Sequence, residues 1–314
     1  MRAVGVLEFG GPEQLQVVDI PMPEPMEGEV RIRVHAVTVN PTDTIFRAGG
    51  QAHRMVRKEP PFIPGMDAAG VIDALGPNTD GRFAVGDRVV ALVQPNGPYG
   101  GAYCDYIVLS SDSVVRAPKG LSFPEASSFL MNALTARLSL EALNLNDGDT
   151  LAVTGAAGFY GSLVAQLALA DGLRVIADAA PKDEALVRSF GVTDIVPRGD
   201  DVAQAIRALA PDGVDGLADG SVQTDLVVPA IKDGGGIVLV RGWEGTPDRG
   251  ITAHQILVSR HAKETAKMSA LVGQVEDGTI QIRVAEIFKP EEAVKAHQML
   301  EAGGLRGRVV IDLS

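Results

Sequence analysis

Between Leu151 and Asp178 the apolar positions change rhythm twice. Leu151–Thr154 is a short apolar run with β-branched residues between Gly148 and Gly155, which reads as a buried strand. Leu163, Val164, Leu167 and Ala168 then recur at helical spacing, and Arg174–Ala177 is a second strand run closing on Asp178. The same alternation continues downstream. KDEALVRSFG predicts a helix stopped by Gly191, DIVPRGD a short strand and loop, and DVAQAIRAL another helix. VDGLADGS predicts a strand carrying Asp215 and Asp219, VVPAIKDGG a helix and turn, and GIVLVRG an apolar strand. Upstream, FPEASSFLMNALTARLSLEAL reads as a helical stretch with Pro124 near its start. Alternating units of this kind imply a parallel sheet covered on both faces.

The first 121 residues have another texture. Short runs (Arg31–Val37, Gly70–Ala74, Arg88–Leu92, Tyr106–Val108) are interrupted often by Gly and Pro, which predicts a mostly β domain with functional loops. At the other end HAKETAKMSALVGQVEDG and EEAVKAHQMLEAGG read as helices and GRVVIDL as a strand, so the C-terminus is expected to return to the first domain. The expected division is 1–121 with 265–314, enclosing 122–264.

Composition narrows the functional classes. At 314 residues, 46% hydrophobic and 22% charged, the chain has the make-up of a soluble globular protein of two domains. A net charge of −12 argues against general binding to nucleic acid or anionic membrane, both of which need clustered Lys and Arg. No apolar run reaches the roughly 18 residues of a membrane span. The start, MRAVGVLEFGGPE, has no apolar core of a signal peptide. A single cysteine, Cys104, excludes an internal disulfide framework and any multi-cysteine zinc site, and fits a reducing cytoplasm. The five histidines are scattered without metal-ligand spacing.

Chemistry concentrates where the rhythm changes. Gly155, Gly158 and Gly161 stand at three-residue spacing between a strand and a helix, and Asp178 lies twenty residues past Gly158. Glycines let the backbone bend tightly and approach a pyrophosphate, and the helix N-terminus offers it N–H groups and positive partial charge. The layout predicts a dinucleotide site formed by Gly155, Ala156, Gly158, Phe159, Tyr160 and Gly161.

NPTDTIFRAG, PFIPGMDAAGVI, FAVGDRVVAL, GGAYCDYIVL, ALTARLSL, GAAGFYG and LRGRVVI, taken in this order, resemble the zinc-independent quinone oxidoreductase branch of the medium-chain dehydrogenase/reductase family. The resemblance runs nearly end to end. It implies an α/β protein: a GroES-like, partly open β-barrel domain built from both chain ends, plus an inserted doubly wound Rossmann domain. It also implies NADP(H), less often NAD(H), held in an interdomain cleft, and hydride transfer to a quinone, enone or alkenal. A cytoplasmic homodimer acting on a small molecule is the matching expectation, joined through Ile237–Val240. The zinc ligands of related alcohol dehydrogenases are missing, since Pro41 and Met66–Asp67 stand in their places, so no metal is expected. Tyrosines that many quinone reductases carry after this motif are also missing, with Ile45 or Phe46 and Gln51 there instead. A metal-free alcohol dehydrogenase and a crystallin-like coenzyme binder are therefore the alternatives.

Reduction of a quinone or enone develops negative charge on an oxygen, which needs a donor. Asn40 and Thr42, at the implied active-site mouth, and Tyr99, in a Gly-rich loop, are the candidates. Asn40-Pro41 reads equally as a structural turn, Asp43 as a helix cap and Tyr103 as a packed core tyrosine. Thr135 and Gly242 match positions against the nicotinamide end. On the adenosine side Asp178 would accept from a ribose 2′-hydroxyl and favours NAD(H), whereas Lys182 and Arg198 could neutralise a 2′-phosphate. The resemblance tips this toward NADP(H).

Overall fold

Strict alternation in EVRIRVHAVTV sends Val30, Ile32, Val34 and Ala36 to one face, and this strand organises the first part of the chain. The computed structural model describes all 314 residues. It opens with a ribbon of β1 (Arg2–Gly5) and β2 (Gln16–Asp19), followed by β3 (Glu29–Val39) and α1 (Pro41–Arg47). Next come β4 (Asp67–Leu75), β5 (Arg88–Leu92), β6 (Tyr106–Ser110) and β7 (Val114–Arg116). β4 pairs one edge of β3, with β5 and β7 beyond it, all antiparallel. The other edge of β3 is shared: β6 takes Glu29–Arg33, and a strand from the far end of the chain takes Ala36–Val39.

The expected helix over 123–143 is two helices, α2 (Phe123–Ser127) and α3 (Leu130–Leu143). The Ser127 and Ser128 hydroxyls donate back to the carbonyls of Pro124 and Glu125, and such local bonds compete with helix continuation. The alternating region follows as β8 (Thr150–Thr154), α4 (Phe159–Ala170), β9 (Arg174–Ala179), α5 (Glu184–Ser189), β10 (Asp194–Pro197), α6 (Val202–Leu209), β11 (Val214–Asp219), β12 (Ile231–Leu239) and β13 (Thr252–Gln255). All six strands are parallel, in the order β10-β9-β8-β11-β12-β13. That is a doubly wound sheet whose order reverses between β8 and β11.

Two expectations fail here. VVPAIKDGG is not a helix but short 3₁₀ turns at Thr224–Leu226 and Val228–Ala230 running into β12 at Ile231. Pro229 brings no N–H and Gly234–Gly236 hold a helix poorly, so extended pairing wins. Ile237–Val240 is not a sheet edge either, because β13 covers Gly236–Leu239. The edge strand is β13, with Thr252, Ala253 and Gln255 exposed.

The chain ends with α7 (Thr265–Glu276), β14 (Val284–Phe288), α8 (Ala293–Ala302) and β15 (Arg308–Asp312). β15 is the strand that completes the second edge of β3. Two compact units result: Met1–Met131 with Ser259–Glu276 and Ile282–Ser314, and Asn132–Val258 with Asp277–Gln281. The first division falls ten residues past the change in texture because α2 packs on β3 and β4. Each unit has its own core, built around Val30, Ile32 and Ile72 in the first and Ile176, Leu217 and Ile237 in the second. No helix is long and apolar enough to cross a membrane.

Candidate functional site

In the second unit parallel strands place their carboxyl ends along one edge, and the notable loops all leave from it. The glycine-rich turn follows β8, Lys182 follows β9, Arg198 follows β10, Gly220 follows β11 and Gly242 follows β12. The turn sits at the order reversal, where open sheets bind ligands. Gly155 has φ +67°, and a Cβ there would lie 2.8 Å from the Gly220 carbonyl carbon. A Cβ at Gly161 would come within 2.4 Å of the Gly155 oxygen, so α4 can approach the turn only with glycine at that position. Gly158 is the N-cap of this twelve-residue helix and brings no capping side chain. Phe159 is buried, and Tyr160 shares a 2.7 Å hydrogen bond with Ser139 of α3, one turn past Thr135.

Asp178, the ribose candidate, also contacts the glycine-rich turn itself. It is 2% exposed, and its carboxylate accepts the Ala156 N–H at 3.1 Å. Burial raises its pKa, while the N–H groups of Ala156 and Gly155 and the charge of Arg198 pull it back. Its Oδ1 braces the turn from the end of β9, and its Oδ2 has no hydrogen-bond partner. Lys182 and Arg198 are both exposed.

Sequence reasoning missed the residues that finish this edge. Asp219, at the end of β11, accepts the Thr154 hydroxyl at 2.7 Å and the N–H groups of Gln223 and Thr224 at 3.2 and 2.7 Å. It ties β8 to β11 across the reversal and holds a loop in which Val222 and Thr224 adopt positive φ. The signal was a strand-final aspartate, read only as a strand residue. Gly242 and Arg241 are exposed, and Trp243 packs on the sheet's core. A hollow of about 480 Å³ beside Trp243, Arg207 and Arg249 lies toward the amino ends of β12 and β13, away from this edge.

The first unit gathers polar groups around α1. Asn40 is fully buried rather than open at a mouth: its Nδ2–H donates to Asp67 at 2.8 Å and its Oδ1 accepts from Arg308. Its N–H donates to Asp43 at 2.8 Å, so Asp43 does cap the helix. Asp67 also accepts the Met131 N–H at 2.8 Å. Burial pushes the carboxyls of Asp43 and Asp67 up to about 7 and about 6, with bonds to backbone N–H groups opposing it in each. Thr42, half-buried, spends its hydroxyl proton on the Met66 sulfur at 3.2 Å. Tyr99 is not brought to this cluster: its hydroxyl donates to Glu29, at the opposite end of β3 from Asn40, at 3.3 Å. Tyr103 and Cys104 are core residues, the thiol pushed by burial up to about 12. No group of three or more His, Cys, Asp or Glu side chains is placed to hold a metal.

Comparison with known proteins gives two family matches and full-length relatives. The family described as alcohol dehydrogenase GroES-like domain matches residues 26–119, and the zinc-binding dehydrogenase family matches residues 190–311. Human (Homo sapiens) quinone oxidoreductase is 28% identical over 99% of this chain and 97% of its own length. Among solved structures, an NAD-dependent alcohol dehydrogenase superposes with a TM-score of 0.87 at 29% identity, covering 100% of both chains. Mycobacterial Rv1454c complexed with NADPH superposes with a TM-score of 0.85 at 28% identity, again over 100% of both chains.

Proposed function

The chain belongs to the medium-chain dehydrogenase/reductase superfamily, and from that premise we propose a zinc-independent, NADP(H)-dependent reductase of quinones, enones or alkenals. The observation that carries this reading is the glycine-rich turn at the N-terminus of α4, where Gly158 brings no capping side chain and a Cβ at Gly161 would strike the turn's backbone. Gly155, Ala156, Gly158 and Gly161 would hold the diphosphate there, against backbone N–H groups and the helix dipole. Thr135, Phe159, Tyr160 and Gly242 are the further coenzyme contacts. When bound, the coenzyme supplies a hydride from its nicotinamide ring.

The choice between coenzymes follows from Asp178. A carboxylate at the exposed end of the second strand would repel a 2′-phosphate. Here that carboxylate is buried against the turn; Glu184, Asp200 and Asp201 are exposed nearby, as are Lys182 and Arg198. Lys182 and Arg198 can pair with a phosphate, which favours NADP(H). The NADPH-bound structural neighbour is in line with this.

For the acceptor we assign Thr42. A thioether is a weak hydrogen-bond acceptor, so a carbonyl oxygen gaining negative charge would readily accept the Thr42 hydrogen bond that Met66 now receives. The donor set beside it does not fit a catalytic zinc. Pro41 has no ligating atom, Met66 is a thioether, and Asp67 already serves Asn40 and Met131. The exposed edge β13 would carry a homodimer, since unpaired strand edges favour pairing with a second copy.

Titration of the protein with NADPH and NADH, followed by reduced-coenzyme oxidation across a panel of quinones and enones, tests the reading. Tighter NADPH binding that weakens in Lys182→Ala and Arg198→Ala, with turnover on one acceptor class, supports it. Silence toward both coenzymes at about 1 mM, the upper range of ordinary substrate affinity, would end it. Binding without turnover would leave a coenzyme binder instead of an enzyme.

A further inference from the structure

The first unit buries a run of hydrogen bonds with one sense of donation. Arg47, the last residue of α1, donates to Glu301 at 2.7 Å, to the Gly10 carbonyl at 3.1 Å, and to His297 Nδ1 at 3.2 Å. A guanidinium cannot accept, so Nδ1 is the accepting nitrogen and the ring proton sits on Nε2. Burial, aided by Arg47, holds the imidazole down to about 3, so the ring is neutral. Nε2–H faces the Tyr103 oxygen at 3.3 Å, and Tyr103 passes its own proton toward Asp43 Oδ2 at 3.3 Å. Asp43 also receives Asn40 N–H on Oδ2 and Gly65 N–H on Oδ1, the latter at 3.0 Å. Tyr103, His297 and Asp43 are all fully buried.

We propose that Arg47, His297 and Tyr103 form a one-way hydrogen-bond chain that positions the first turn of α1, and with it Thr42, by keeping Asp43 an acceptor, and that a proton on Asp43 releases that turn. The direction cannot reverse, because Arg47 only donates. Tyr103 therefore has one acceptor available, Asp43. A proton added to Asp43 lies among donors: Gly65 N–H on one oxygen, Asn40 N–H and Tyr103 O–H on the other. The charges that bear on this carboxylate are Asp67 on β4, which favours the proton, and Arg308 on β15, which opposes it. His297 on α8 is neutral, and Arg47 lies beyond it. Burial places the titration near 7, inside the working range of an ordinary enzyme. The role given to Thr42 rests on the function proposed above; the chain itself does not.

Hydrogen exchange read by mass spectrometry over residues 40–49 of the full-length protein, at about one pH unit either side of 7 and corrected for intrinsic rates, tests the chain without a substrate. The wild type should exchange several-fold faster on the acid side. Tyr103→Phe should exchange fast on both sides. His297→Gln, whose amide can accept from Arg47 and donate to Tyr103, should match the wild type, while His297→Leu, which keeps the Tyr103–Asp43 bond but removes the donor behind it, should fall between the wild type and Tyr103→Phe. Equal protection of the wild type at both pH values would overturn the proposal. So would Tyr103→Phe behaving as the wild type, and if that variant fails to fold, the Gln and Leu pair decides the matter. In turnover assays Tyr103→Phe should move the acid limb of kcat upward in pH. A wild type inactive on every acceptor would refute the enzyme reading and leave the exchange result standing.

Discussion

His297 is buried neutral, and replacing it with glutamine has an effect whose size follows from proton linkage. Its folded pKa is about 3 against 6.5 for the free side chain, depressed by burial and then by Arg47. Between these values the unfolded chain binds a proton that the folded chain refuses, so stability present above pH 6.5 is lost as pH falls. The slope is about 1.4 kcal/mol per pH unit, which gives roughly 2 kcal/mol by pH 5. Glutamine does not titrate, so His297→Gln escapes this loss. Asp43 and Asp67 act in the opposite sense. Their folded pKa values are raised by burial to about 7 and about 6, so they lose stability as pH rises from the unfolded value of 3.8. They are present in both proteins and cancel in the difference. Scanning calorimetry at about pH 7.5 and about pH 5 should show the melting temperature of His297→Gln gaining roughly 3 °C on the wild type at the lower pH. An identical gap at both pH values would refute a neutral buried imidazole.

Other expectations follow from single contacts. Gly161→Ala puts a Cβ within 2.4 Å of the Gly155 oxygen and must push α4 from the turn, so coenzyme affinity should fall at least tenfold; an unchanged dissociation constant would show that the turn does not hold the diphosphate. Thr42→Val should lower kcat with an acceptor by about 10–100-fold, in keeping with one lost transition-state hydrogen bond. Coenzyme affinity should stay put and Thr42→Ser should recover most of the rate, whereas a fully active Thr42→Val would remove Thr42 from the chemistry. Ala253→Lys places charge on the exposed edge of β13 and should convert a dimer to a monomer by light scattering, while a wild type that is already monomeric would discard that edge as an interface.

Local order was readable because it depends on local pattern. The short run Arg31–Val37 marked β3, and the glycine spacing with its flanking strand and helix marked the βαβ turn. Features that depend on a distant partner were not readable. Asn40 has the same neighbours in sequence whether it opens on substrate or is buried. Its burial is decided by Arg308, 268 residues away, and Asp67, 27 residues away. The four-residue β13 has no alternation to betray it, since its side chains are mostly exposed and only pairing with β12 makes it a strand. Asp178 shows the limit most clearly. Its distance from Gly158 suits a ribose ligand, and that spacing could not show that its Oδ1 also accepts the Ala156 N–H.

That contact and the buried run in the first unit share one physical logic. In both, a carboxylate is taken out of water, its pKa rises, and backbone N–H groups on a functional turn offset the cost. Asp178 braces the glycine-rich turn through Ala156, and Asp43 braces the start of α1 through Asn40 and Gly65. The brace at Asp43 holds its backbone only while the carboxylate is ionised, because both oxygens already accept donors, whereas Asp178 Oδ2 has no partner and can take a proton without meeting one. Asp178 has two opposing N–H groups and the charge of Arg198 beside it. Asp43 lies at the end of a chain whose direction is set by Arg47, 3.2 Å from His297. Loss of order with acid should therefore begin at α1, while the coenzyme turn keeps its shape to lower pH. Amide exchange followed separately over residues 40–49 and 155–161 would show that sequence, and simultaneous loss at both would contradict it.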